Sequence, residues 1–316
     1  MNESLHDRAI DVAERPWTET FGPAFPLVAG ALWGTIGIVS KGLLDANYHP
    51  VQIVVWRLII ASVLGQVILL LYNRGFKAPR MPLPFLIHGL LGTVLTQLLY
   101  LGGVRSIGVA LTVTLHFTWP AFAVFLGRMV FQEPLHRLKL LAALLSVAGA
   151  ALVSTVALDV SLQISALGLV MAILSGITFA AGGTMAKYEL QTASRLEVIV
   201  WPMTLATLPL AVYAGSIGQL APTFSVGVPT MQILYLAVVT TFAAHGLYTV
   251  GLKTLASGTA AILATVEPVV AVVLASLLFG ETLHTNQWLG LSLIVLGVVI
   301  VNMRRRALRR PAQLAP

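Results

Sequence analysis

Long apolar stretches alternate with short links punctuated by glycine and proline along almost the whole chain. Ten such stretches fall at 23–44, 50–72, 82–104, 106–131, 135–157, 164–187, 196–217, 229–252, 256–279 and 284–303. Each is long enough to carry a helix across about 30 Å of hydrocarbon. The links, among them Asn73–Pro82, Gln132–Pro134 and Gly218–Pro229, leave no room for a soluble domain. Stretches four and five nearly touch, as do nine and ten, so each pair predicts a tight helical hairpin. Segment 1–22 is polar and of mixed charge, without the basic start, apolar core and cleavage site of a signal peptide, and is read as a tail. The pattern predicts an all-α integral membrane protein with ten transmembrane helices.

Composition agrees with that pattern. Of 316 residues, 57% are hydrophobic and 10% charged, against roughly a quarter charged in a soluble domain. With no cysteine there is neither a disulfide framework nor a thiolate metal site, and no cofactor is expected. The net charge of +7 is spread between apolar stretches and the C-terminal end, with no aromatic-basic surface for nucleic acid. Membrane lipids account for it better. If residue 1 is cytoplasmic, Arg8, Arg15, Arg74, Lys77, Arg80, Arg137, Lys139, Lys187, Arg195, Lys253 and the arginines of tail 304–316 lie inside, against Lys41 and Arg105 outside. The predicted topology therefore has both termini in the cytoplasm.

The chain also matches itself. At an offset of 148, residues 99–149 and 247–297 share sixteen identities in fifty-one positions, including Tyr100/Tyr248, Gly103/Gly251, Pro120/Pro268, Glu133/Glu281, His136/His284 and Gly149/Gly297. Residues 30–41 lie over 176–187 at an offset of 146, and Trp56 falls on Trp201 at 145. Five stretches per half is an odd number, so the halves, 23–157 and 164–303, enter the membrane in opposite orientations. Inverted repeats of this kind let secondary transporters form two access states from one plan.

Four segments resemble the drug/metabolite transporter superfamily, in particular its ten-helix EamA-type members. AGALWGTIGIVSKGLL in stretch one is similar to that family's opening signature, and WRLIIAS in stretch two to its arginine-bearing start. EPLHRLKLLAALLSVAGAALV and ETLHTNQWLGLSLIVLGVVIV resemble the glutamate-then-glycine endings of its two repeats. The resemblance covers residues 25–303. It implies a carrier of the bacterial inner membrane, often an exporter of amino acids, other metabolites or drugs, with a central cavity built by both halves.

Glu267 is the first candidate for the chemistry, an acid near the middle of stretch nine followed at once by Pro268. Ionisable residues at membrane depth are costly and functional by default. It is read either as a proton carrier and countercharge for a substrate amine, or as a structural acid held by Arg57 or by main-chain groups loosened at Pro268. His116 and Trp119 share a face of stretch four, and Trp119 is the offset partner of Glu267. If both halves face one cavity, Trp119 and Glu267 line it from opposite sides and grip a cation; the alternative is a packed tryptophan and a histidine bonded to a carbonyl. Trp33, among Gly30, Gly34 and Gly37, and its partner Phe179 are read either as cavity lining or as packing. Arg57 must point inward or snorkel. Gln97, Tyr100, His245 and Tyr248 give stretches three and eight one polar pair each, with interhelical bonding as the alternative. His88 reads as shallow, and Glu133 and Glu281 as turn caps.

A proton-coupled exporter of amino acids or small amine-bearing metabolites, monomeric or a weak homodimer, is the leading expectation. An importer or passive facilitator has the same architecture. An intramembrane enzyme is opposed by the lack of cysteine, HExxH and GxSxG, and direct ATP drive by the lack of GxxxxGK[ST].

Overall fold

A main chain inside hydrocarbon must satisfy its own N–H and C=O groups, and this chain does so as helix. The computed structural model describes residues 21–75, 77–107, 109–154, 165–221, 227–279 and 284–309, among which there is no strand. Span one is α1 (Ala24–Gly34) and α2 (Ile36–Asp45), and span two is α3 (Pro50–Tyr72). Span three joins α4 (Pro82–His88), a wide π-helical turn (Gly89–Leu95) and α5 (Thr96–Ile107). Span four is split into α6 (Val109–His116) and α7 (Trp119–Phe131), and α8 (Arg137–Ser154) follows. Spans six and seven are α9 (Ala166–Glu189) and α10 (Arg195–Ser216). Span eight joins α11 (Val228–Tyr235), a second π-helical turn (Leu236–Ala243) and α12 (Ala244–Thr254). Span nine is split into α13 (Ser257–Ala264) and α14 (Glu267–Phe279), and α15 (Thr285–Arg309) ends the bundle.

Nine helical stretches among the described residues are long and apolar enough to cross a membrane, against the ten read from the sequence. The difference is the fifth, α8, which opens on Arg137 and Lys139 and whose continuation beyond Ser154 lies outside the described residues. Glu281, segment 1–20 and residues 310–316 also lie outside them.

Local chemistry sets the helix starts. Pro50 opens α3, where its missing N–H costs nothing, and His49 Nδ1 accepts from the Val51 N–H at 3.2 Å. A reciprocal box opens α10, in which Ser194 Oγ accepts from the Glu197 N–H and the Glu197 carboxylate from the Ser194 N–H.

Three spans are interrupted, and the same device bonds a carbonyl beside each gap. Thr35 Oγ1 donates to Leu32 O at 2.7 Å, Thr118 Oγ1 to Leu115 O at 2.6 Å, and Thr265 Oγ1 to Ile262 O at 2.6 Å. The last two gaps sit one turn ahead of Pro120 and Pro268, which continue a helix only from its first turn. At the offset of 148, the end of α6 falls on the end of α13 and the start of α7 on the start of α14. The two π turns overlap at that offset too.

Small residues let these interrupted spans approach. A Cβ on Gly30 would collide with the Ala264 carbonyl, and one on Gly176 would stand 2.7 Å from the His116 carbonyl. Gly149 and Gly290 lie equally close across α8 and α15, each 2.5 Å from the other's carbonyl had it a Cβ. At the end carrying Glu133 and Ser257, α7 packs directly on α13. Beyond the gaps, α6 turns to α5, α8 and α9, while α14 turns to α1, α2, α8 and α15. Spans four and nine therefore meet at the Glu133 end and part beyond their gaps.

Gly30→Ala should destabilise the detergent-solubilised protein by about 1–3 kcal/mol through overpacking. Gly37, with nothing within 4 Å of its Cβ position, should tolerate alanine or gain up to about 1 kcal/mol from helix propensity. Paired thermal melts measure both.

Candidate functional site

Seven of the ten residues singled out from the sequence meet in one aromatic cluster at the level of the helix gaps. Trp33 stands 5.7 Å from Phe179, 5.1 Å from His245 and 5.5 Å from Tyr248, ring centre to ring centre. Phe179 continues to Trp119 at 4.9 Å and to His116 at 5.6 Å, and His116 to Tyr100 at 5.4 Å. Trp119 also reaches Tyr248 at 6.2 Å. Most of these contacts are edge-on, the arrangement that aromatic quadrupoles favour.

The wide turn in span eight orients two of these rings. A π turn leaves main-chain oxygens without their usual intrahelical donors, and here side chains take them. Trp33 Nε1 donates to Thr240 O at 3.1 Å, and His245 Nδ1 donates to Thr241 O at 2.8 Å. His116 is fixed in the same tautomer by another route. Ser175 Oγ gives its proton to Ala172 O at 2.7 Å, so it must accept from His116 Nδ1 at 2.9 Å. Both histidines are left with Nε2 as the free position.

The other three candidates are not part of these ring contacts. Arg57 is buried, and its Nε donates to Thr241 Oγ1 at 2.9 Å, one turn from His245. It makes no ion pair with Glu267. Glu267, the first residue of α14, is partly exposed, and among the described residues its carboxylate has no hydrogen bond or ion pair. It lies near the Tyr100 phenol. Behind it Gly34 closes up, since a Cβ there would be 2.6 Å from the Glu267 carbonyl. Gln97 is half-buried and makes no hydrogen bond among the described residues.

A cavity of about 50 Å³ opens beside the cluster, walled by Trp33, Phe179, His245 and Tyr248 and by His88, Gly182 and Met203 among others. Trp119 and Glu267 are not in its wall. His88 was set aside from the sequence as shallow, yet here its Nδ1 meets the fully buried Glu189 Oε2 at 2.8 Å. Glu189 closes a helix, and nothing in its local sequence marks it as buried. Among the described residues no group of three or more His, Asp or Glu side chains is disposed to hold a metal ion.

Glu133 does not cap its own turn. Its carboxylate accepts from Lys187 Nζ at 2.7 Å, Lys139 Nζ at 3.0 Å and the Ser257 N–H at 2.7 Å, which ties α7, α8, α9 and α13 together. Burial raises its pKa, but the Lys187 and Ser257 hydrogen bonds and the two ammonium charges outweigh that, and the net shift is downward.

The chain matches the EamA-like transporter family twice, over residues 20–155 and 166–303. It is 26% identical over 294 residues to the uncharacterized inner membrane transporter YicL of Salmonella typhimurium, covering 89% of this chain and 95% of that protein. It is 25% identical over 287 residues to the uncharacterized transporter YwfM of Bacillus subtilis, covering 89% and 94%. A probable amino-acid metabolite efflux pump of Salmonella typhimurium is 28% identical over 203 residues, 61% of this chain and 67% of that one. A solved protein structure shares the fold with a TM-score of 0.79 at 17% identity, over 92% of this chain and 99% of its own.

Because the Glu133 pKa is depressed in the folded state, its stabilisation is present at neutral pH and is lost as pH falls below the ordinary carboxylate value of 4.5. Glu133→Gln should lower stability at pH 7 by about 3 kcal/mol. It should also flatten the acid limb of the melting temperature against pH.

Proposed function

Since the chain belongs to the EamA-like transporter family of the drug/metabolite transporter superfamily, we propose that it exports amino acids or related amine-bearing metabolites in exchange for protons. It is a transporter, not an enzyme, and its relatives carry names of transporters and efflux pumps. The observation that carries the finer reading is an acid with no partner among the described residues, at a helix gap and beside an aromatic cluster drawn from both halves of the chain. An ammonium ligand finds there both a countercharge and electron-rich ring faces. A proton taken by Glu267 cancels the countercharge and releases the amine, so the two compete for one site. The efflux-pump names of two relatives support amino-acid metabolites as the substrate class and export as the direction.

In this reading the halves 23–157 and 164–303 form two five-span repeats of opposite orientation, with cytoplasmic tails 1–22 and 304–316. The location is a bacterial inner membrane. The distribution of lysine and arginine makes the Glu133 end cytoplasmic. The substrate must favour the form that reorients, because only differential affinity moves such an equilibrium.

Thermal stabilisation of the purified protein over a panel of amino acids and amines, run beside Glu267→Gln, tests this. A ligand at about a hundred times its dissociation constant should stabilise the wild type by roughly 2.7 kcal/mol and leave the variant unmoved. Equal stabilisation of both proteins would remove Glu267 from the substrate site.

A further inference from the structure

The contact between His88 and Glu189 sits where the other half of the chain has leucines. The offset of 148 that aligns spans three and eight places Leu236 opposite His88, and the offset of 146 that aligns spans one and six places Leu43 opposite Glu189. Leu43 and Leu236 are both fully buried in one apolar cluster. One architectural position is thus filled once by two leucines and once by an imidazole and a carboxylate. Burying an ionisable pair is expensive, and packed apolar side chains of similar volume serve stability as well or better. The fold does not need charge at this position, so the pair has another use.

Its surroundings indicate that use. His88 is in the cavity wall beside Trp33 and His245. Its Nδ1 is held by Glu189, and among the described residues Nε2 has no bond. Behind it the Glu189 side chain is fully buried, and its second oxygen, Oε1, has no hydrogen-bond partner among the described residues. The arrangement is a ring nitrogen at the cavity, a carboxylate behind it, and a vacant acceptor beyond.

We propose that His88 and Glu189 form a second proton-binding site of the carrier, exchanging protons between the aromatic cavity and the Glu133 end of the bundle. This rests on the reading of the chain as proton-coupled. A proton arriving on Nε2 makes an imidazolium, whose charge the Glu189 carboxylate balances across 2.8 Å. Transfer of the Nδ1 proton to Oε2 leaves a neutral imidazole with its proton on Nε2 and a neutral carboxyl, which then releases that proton. The reverse order carries a proton the other way. Other ionisable groups on the elements around the pair are His245 and Tyr248 on α12, Lys187 and Tyr188 on α9, and Arg195 and Glu197 on α10. Lys187 is engaged by Glu133 and Glu197 by the Ser194 N–H. His245 shares the cavity wall with His88.

Nuclear magnetic resonance of the full chain in micelles, with ¹⁵N-labelled histidine, reads this directly; the ring signal missing from His88→Leu identifies His88. At a fixed pH that signal should report a ring protonated at Nδ1 in the wild type, and Glu189→Gln should change the ring's tautomer or charge. A ring whose tautomer and charge are indifferent to Glu189→Gln overturns the site. The double variant His88→Leu/Glu189→Leu repeats the leucine pair of the other half and should keep the wild-type melting temperature. In liposomes it should lose at least about tenfold of the pH-gradient-driven uptake of a radiolabelled amino-acid mixture. Uptake retained by the double variant overturns the second site alone. A wild type indifferent to the gradient overturns proton coupling itself, and this site with it.

Discussion

In hydrocarbon a main-chain carbonyl without a donor is costly, and the centre of this molecule is organised by where its helices leave such carbonyls. Threonine hydroxyls take one beside each of the three gaps. The π turn of span eight supplies two more, to Trp33 and His245, and so decides how those rings are presented. Irregular main chain at membrane depth is tolerated where it is buried in protein or lines a cavity. Here it adjoins both the aromatic cluster and the cavity. The glycines belong to the same constraint, since Gly30 and Gly176 let a neighbouring span rest directly on a carbonyl beside a gap.

Much of this was legible in the sequence, for specific reasons. Apolar length gave the spans, and Pro120 and Pro268 marked the two gaps, because proline cannot sit inside a regular helix without loss of a hydrogen bond. The 148-residue offset alone brings Trp119 and Glu267 to equivalent places. What escaped notice depends on partners distant in the chain. Gly89–Leu95 and Leu236–Ala243 contain no residue that excludes an ordinary helix, so their π turns arise from packing. His88 and Glu189 are 101 positions apart, and neither shows its burial in its neighbours. Glu133 was read as a local cap because its short hairpin was visible, whereas the helix end it caps lies 124 positions away at Ser257.

The cavity also departs from the symmetrical picture that sequence encourages. Trp33, Phe179, His245 and Tyr248 wall it, while Trp119 is packed among rings and Glu267 stands outside. Trp33 comes from span one and His88 from span three, whereas Phe179 comes from span six and His245 and Tyr248 from span eight, so both halves contribute, but unequally. Histidine orientation follows the same economy of donors: His88, His116 and His245 are each held at Nδ1 and each keep Nε2.

Lys41 and Lys187 occupy equivalent places at the offset of 146, yet they are bonded very differently. Lys187 is bound to a buried carboxylate, whereas Lys41 pairs with Asp45 one turn along its own helix, with both side chains more than half exposed. An exposed pair of that kind holds little free energy. A molecule that alternates between two openings therefore starts from an uneven landscape, with the Glu133 side in the deeper basin. A bias of about 3 kcal/mol would leave under about 1% of unliganded molecules open at that side. On the proposed function, such a carrier is a poor leak at rest, and its turnover would be governed by how far its cargo evens out the two basins.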